Sequence, residues 1–124
     1  MIEVDPSSIE GTWRLADDEA MEVGPLFILR DGSVLAEGEA PTGYAIEGAV
    51  LSFTTARQEP EGSKVTVIYR FDLPGPLANP AAPSLLGVEI VRPERLQGTM
   101  ETTDDPGFGD ALQFFDSCIL VRID

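Results

Sequence analysis

The chain has no histidine, and that absence excludes more chemistry than any motif adds. Histidine-based triads, ordinary haem ligation and nearly all zinc sites need an imidazole. There is one cysteine, so no intrachain disulfide can form and nothing points to a stapled, secreted scaffold. That residue, Cys118, sits beside Ile119 and Leu120 with no histidine to activate it, and reads as a small core residue rather than a nucleophile. Lys64 is the only lysine, and no Gly-x-x-x-x-Gly-Lys phosphate loop exists. Bases are scarce altogether: eight Lys and Arg face 22 Asp and Glu, a net charge of −14. Such a field repels nucleic acid and anionic membrane, because phosphate binding calls for clustered Lys and Arg. It favours a basic partner, or it simply keeps a small protein soluble. No apolar run is long enough to span a bilayer, and no basic segment followed by an apolar stretch opens the chain, so a cytoplasmic protein is expected.

What is present is a succession of short strand patterns. The 124 residues fit one domain, 1–124. Asp5-Pro6-Ser7-Ser8 resembles a helix start, with room for a single turn before Gly11. Trp13 and Leu15 alternate with Thr12 and Arg14, the period of a half-buried strand. Leu26 to Ala36 reads as a hairpin around Asp31-Gly32, and Tyr44 to Thr54 as a second one around Glu47-Gly48-Ala49. Lys64 to Asp72 is the strongest strand, with Val65, Val67, Tyr69 and Phe71 on one face. Residues 73–84 hold four prolines and cannot form a central strand, so they are expected to be a long, stiff connection. Leu86 to Arg92, Leu96 to Thr102 and Gln113 to Ile123 complete the set. No amphipathic pattern of helical length interrupts them. Sequential hairpins on this scale predict an all-β fold, a single antiparallel up-and-down β-barrel of about eight or nine strands with a short N-terminal helical turn.

Gly11-Thr12-Trp13 on a first strand after a helical turn, followed by a meander of hairpins, resembles the calycin group of lipocalins, fatty-acid-binding proteins and avidins. Arg122, in Val121-Arg122-Ile123, stands where that group places a basic residue near the end of its last strand. Leu29 to Ser33 and Tyr44 to Leu51 are similar to the small bacterial lipocalin-like domains. The resemblance implies that Gly11, Trp13 and Arg122 are structural, with arginine and indole stacked at the closed end of the barrel.

Two functional readings follow. In the first, a non-catalytic barrel holds a small apolar ligand, with Phe53, Val67, Tyr69 and Phe71 lining the lumen and Leu77 and Phe108 at a portal formed by the two long late loops. No cofactor and no metal are implied. The run Asp104 to Asp110 lacks the spaced ligands of a calcium loop and reads as a solvated turn. In the second, the barrel is filled and its outside neutralises a basic protein, with Asp17, Asp18, Glu19, Asp104, Asp105 and Asp110 supplying the attraction. A more remote third reading is an enzyme that buries Glu89 or Asp116 beside Arg70, Arg92, Tyr44 and Tyr69; alternation also fits a solvent-facing position for these. Oligomeric state is not legible.

Overall fold

A computed structural model describes residues 2–16, 24–36, 39, 41–60, 62–79 and 87–124. Ten strands are present among them: β1 (Ile2–Val4), β2 (Gly11–Ala16), β3 (Leu26–Arg30), β4 (Ser33–Ala36), β5 (Thr42–Glu47), β6 (Val50–Gln58), β7 (Lys64–Asp72), β8 (Glu89–Val91), β9 (Arg95–Asp105) and β10 (Leu112–Arg122). Eight of them close an antiparallel barrel in the order β10-β2-β3-β4-β5-β6-β7-β9. Apart from the closing pair of β10 with β2, every neighbour but one is also the next strand in sequence, so the barrel is up-and-down, as the run of hairpin signals predicts. The exception is the step from β7 to β9, which the proline-containing connection and β8 bridge from outside the barrel. The expected helical turn is a single 3-10 turn, Pro6–Ser8, in which the Asp5 carboxylate caps the Ser7 N–H at 3.0 Å. No α-helix occurs among the described residues, and none of them forms a helix long and apolar enough to cross a membrane.

Alternation decides which side chains enter the barrel. Trp13 and Leu15, Phe27 and Leu29, Val34 and Ala36, Leu51 and Phe53, Tyr69 and Phe71, and Leu96, Cys118 and Leu120 are all buried. Their intervening neighbours Ile28, Leu35 and Ser117 face outward and are exposed. Aromatic rings fill much of the lumen: Phe27 meets Phe53 and Tyr69 edge-on at 5.2 and 5.3 Å, while Phe53, Tyr69 and Phe71 stack on one another. Each such pair adds about 0.5–1.5 kcal/mol beyond its area burial.

One end of the barrel is sealed. There β1 pairs in parallel with β8, in register Ile2↔Glu89 to Val4↔Val91. On its other side β1 takes a parallel bridge to Leu77. The Val4 N–H donates to the Pro76 carbonyl and the Ala78 N–H to that of Val4, both at 2.8 Å. Val4 and Ile9 are buried beneath this cap. One expectation is corrected here. The segment Leu86–Arg92 is no barrel strand: Glu89–Val91 pairs outside the barrel, and Leu86 lies beyond the described residues. The proline-rich connection, as far as Asn79, also packs as part of the cap. Proline leaves its carbonyl free to accept, and Pro76 uses it. Residues 80–86 lie outside the described residues.

The other end is uneven. Strands β6 and β7 have nine residues each and β9 and β10 eleven, whereas β2 to β5 have four to six. A tall wall therefore rises on one side of the mouth and a low wall faces it.

Candidate functional site at the barrel mouth

Below the low wall, between Tyr69 and the rim, the inward side chains leave a cavity of about 200 Å3. Its apolar lining comes from Leu15, Phe27, Ala36, Val65, Val67 and Met100, with Tyr69 and Thr55 supplying polar atoms. All belong to the inward-facing set of their strands, so the cavity is the unfilled upper part of the lumen. Glu39 and Arg57 reach it from the rim. The Arg57 guanidinium is engaged by Glu59, at 2.7 Å from Nη2 and 2.8 Å from Nε, which holds it at the edge.

Tyr69 is 3% exposed. Burial pushes its phenol up to about 12, and the hydrogen bond with the Thr55 side chain opposes that shift only in part. Its hydroxyl is therefore neutral at ordinary pH, a hydrogen-bonding group beside Thr55 in a pocket whose inner walls are mainly apolar. Pockets of this build, apolar walls with a few fixed polar atoms, orient small ligands. The volume sets a limit: an apolar cavity of about 150 Å3 accepts benzene, so this one suits a molecule of about one ring.

The residues expected to line a ligand site divide. Val67 and Tyr69 line the cavity. Phe53 and Phe71 are 3% and 0% exposed and belong to the packed aromatic stack. Leu77 is half-buried in the cap at the sealed end. Phe108 is 82% exposed, beyond β9 at the open end. Leu77 and Phe108 thus stand at opposite ends of the barrel, and one portal lined by both is excluded. The reason is topological: β7 runs from the open end to the sealed end, and Leu77 follows it.

The Tyr, Arg and Glu set is not assembled. Glu89 and Arg92 lie on and beside β8 at the sealed end, where Arg92 pairs with Asp5. Arg70 points outward, 3.6 Å from Glu101. Asp116 is exposed on β10, and Tyr44 is half-buried on β5. Of the acidic residues expected at a partner surface, Asp104, Asp105 and Asp110 cluster on and beside the β9–β10 hairpin. Asp105 also shapes that turn, accepting from the Gly107 N–H at 2.9 Å. Asp17, Asp18 and Glu19 lie outside the described residues.

Sequence reasoning passed over Leu15, Thr55 and Met100 as cavity residues. Thr55 was detectable, because it lies two residues from Phe53 on the same strand face; its polarity disguised it. Met100 shares a face with Leu96 on β9 by the same count.

A larger groove, about 680 Å3, runs along the outside of β5 to β7. Most of its lining, Ser52, Thr54, Ala56, Ile68 and Arg70 among it, points away from the lumen, and it is shallow. No family model, no curated protein and no solved structure matches this chain.

Proposed function

We propose that the protein binds a small, largely apolar molecule in the upper lumen, without catalysing a reaction on it. The observation that carries this reading is the cavity itself: a pocket of about 200 Å3, walled by side chains from β2, β3, β4, β6, β7 and β9 and floored by the Phe27–Tyr69 contact. Val67 supplies wall, and Tyr69 with Thr55 supplies the one polar anchor. Phe53 and Phe71 support the floor from below. The neutral phenol matches a ligand with one hydrogen-bonding group, such as a simple phenol, indole or short-chain ketone. Two carboxylates near the mouth, Glu39 and Asp116, argue against an anionic ligand.

The test uses toluene, indole and phenol as probes in ligand-observed NMR with the intact chain, beside Val67→Trp. The large ring at position 67 is expected to fill the cavity and abolish probe binding while the far-UV spectrum stays that of a β-barrel. Equal binding by Val67→Trp, or no binding of any probe by the wild type, overturns the reading.

A further inference from the structure

Among the described residues, the tall wall has a free edge. β2 pairs with β10 only from Ile119↔Ala16 to Arg122↔Trp13. β9 follows β10 along its whole length, from Leu112↔Asp104 to Val121↔Arg95. Among the described residues, Leu112–Ser117 therefore has a strand on one side and none on the other. Alternate residues of that stretch present N–H and C=O groups away from β9, the arrangement that accepts an added strand.

The side chains along this edge are unusual. Leu112, Phe114 and Phe115 are 59%, 51% and 70% exposed, and Phe108 stands free beside them. Leu112 and Phe114 lie on the mouth side of the strand with Cys118, and Phe115 lies on the outer side. The β9–β10 hairpin itself carries charge of one sign, while β7 brings Arg70 to Glu101 and Lys64 opposite Asp105. From Leu96 to Val121 there is no Lys or Arg, while Glu101, Asp104, Asp105, Asp110 and Asp116 are all present. Among the described residues, Thr54–Gln58 beyond the Tyr44↔Phe53 pair is a second unpaired edge of the same wall, but it is polar and carries Arg57.

These features select among occupants. A second copy pairing edge to edge brings the same acids together, with Asp110 and Asp116 of each chain facing the other, and each chain carries −14 overall. Charges set on an edge strand in this way block self-pairing. An acidic membrane surface is repelled for the same reason. A basic chain is attracted, both locally and at long range. We infer that the β10 edge, Leu112–Ser117, is a strand-addition site for an extended, basic segment of another protein whose Lys and Arg alternate with apolar residues. The apolar residues of the segment pack beside Phe115 on the outer face, and its bases, on the mouth side, meet Asp116 with Asp104 and Asp110 beyond it. This places the acidic-surface function on one element and is independent of the lumen, because no residue of this edge strand up to Phe115 lines the cavity.

The experiment titrates the nitrogen-15-labelled full chain with the capped peptide Lys-Val-Arg-Val-Lys-Phe-Arg and follows amide exchange. In the free protein, alternate amides of Leu112–Ser117 are expected to exchange quickly; with peptide they slow by about tenfold or more, the mark of new hydrogen bonds. A peptide with its alternate backbone nitrogens methylated is expected not to protect them. Phe115→Ser and the double variant Asp110→Asn, Asp116→Asn are each expected to weaken binding about tenfold, the second alone losing its salt dependence. Val67→Trp is expected to bind the peptide normally, which separates this site from the lumen. Three results overturn the inference: protection of these amides in the free monomer, equal binding of the methylated peptide, or protection that arises through dimerisation without peptide.

Discussion

The Arg122 guanidinium lies over the Trp13 indole, 4.5 Å from the ring centroid, and joins the last barrel strand to the first. Trp13 is fully buried and its Nε1–H donates to the Ile9 carbonyl at 3.0 Å, so the ring is fixed from both sides. Arg122 Nη1 reaches the Glu10 carbonyl at 3.1 Å and Asp124 Oδ1 at 3.0 Å. Asp124 in turn accepts from the Thr12 N–H at 3.0 Å. Barrel closure and the cap over its sealed end meet at this cluster.

Arg122→Ala removes the cation over the ring, the bond to Glu10 and the partner of Asp124. Cation–π attraction contributes about 0.5–2 kcal/mol, and the hydrogen bonds add to that. A loss of about 2–3 kcal/mol is expected in urea unfolding. Arg122→Lys recovers only part of it, since an ammonium cannot lie flat on the indole. Full stability in Arg122→Ala contradicts a structural role.

Gly11 makes that crossing possible. Its φ is +140°, and a Cβ there would stand 2.4 Å from Arg122 Nη1. Gly11→Ala is expected to cost about 1–3 kcal/mol through backbone strain and displaced arginine. The double variant Gly11→Ala, Arg122→Ala should then be less destabilised than the sum of the two singles, because the nearest clash is gone and only the Asp124 carboxylate, 2.8 Å from the new Cβ, is left to move. Thermal melts of the four proteins measure that coupling.

Gly98 poses the same question in the core. It faces Phe71 across the β7–β9 pair, and a Cβ there would lie 2.0 Å from the Arg70 carbonyl oxygen and 2.7 Å from the Phe71 ring. The obstructing carbonyl is backbone, so little can yield. Gly98→Ala is expected to cost at least about 1–3 kcal/mol, the ordinary price of overpacking. An unchanged melting temperature is the outcome that refutes it.

Alkaline pH tests the lumen. Both tyrosines are held above the ordinary phenol value of 10.0: Tyr44 chiefly by burial, Tyr69 by deeper burial to about 12. A folded-state value above the unfolded one means stability that is complete below pH 10 and lost as pH rises toward 12. The loss from Tyr69 is on the order of 2 kcal/mol. Phenolate absorbance should therefore appear late and together with unfolding, and Tyr69→Phe should flatten the alkaline limb. A normal titration near 10 for both rings counts against a closed floor to the cavity.

Acid tests the sealed end. The Thr12 N–H and the Arg122 guanidinium hold the Asp124 carboxyl below its ordinary 3.8. A lowered folded-state value gives stability that is present above the unfolded value and lost as pH falls through the folded one. Asp124→Asn should be less sensitive than wild type below pH 4, by a small margin because the group is exposed. Parallel acid-unfolding curves remove Asp124 from the cluster.

The strands and their inward faces were legible because they are local. Period-2 alternation in Val65–Phe71 and Trp13–Leu15 needs only neighbouring residues to be read. So does the Asp31-Gly32 turn, where both residues take positive φ. The Trp13–Arg122 pair came from a resemblance rather than from periodicity, and the geometry carries it. Among the site residues, Val67 and Tyr69 were placed by alternation alone. Leu77 was not, because its position depends on β1 lying between β8 and the proline-rich segment. Nothing near Leu77 in sequence encodes Ile2–Val4.

What the amino-acid order determined by itself is the class of the fold and the excluded chemistry. Alternation, turn residues and the missing histidine are properties of short stretches and composition, so they survive without coordinates. Only the tertiary structure decided how far the barrel is filled and where it is left open. The stack of Phe27, Phe53, Tyr69 and Phe71 depends on strands far apart in sequence meeting in one register. The unequal heights of β2 and β10, which leave both the mouth cavity and the Leu112–Ser117 edge, depend on where each strand stops pairing with its neighbour. Register and shear are relations between strands, and no single strand contains them.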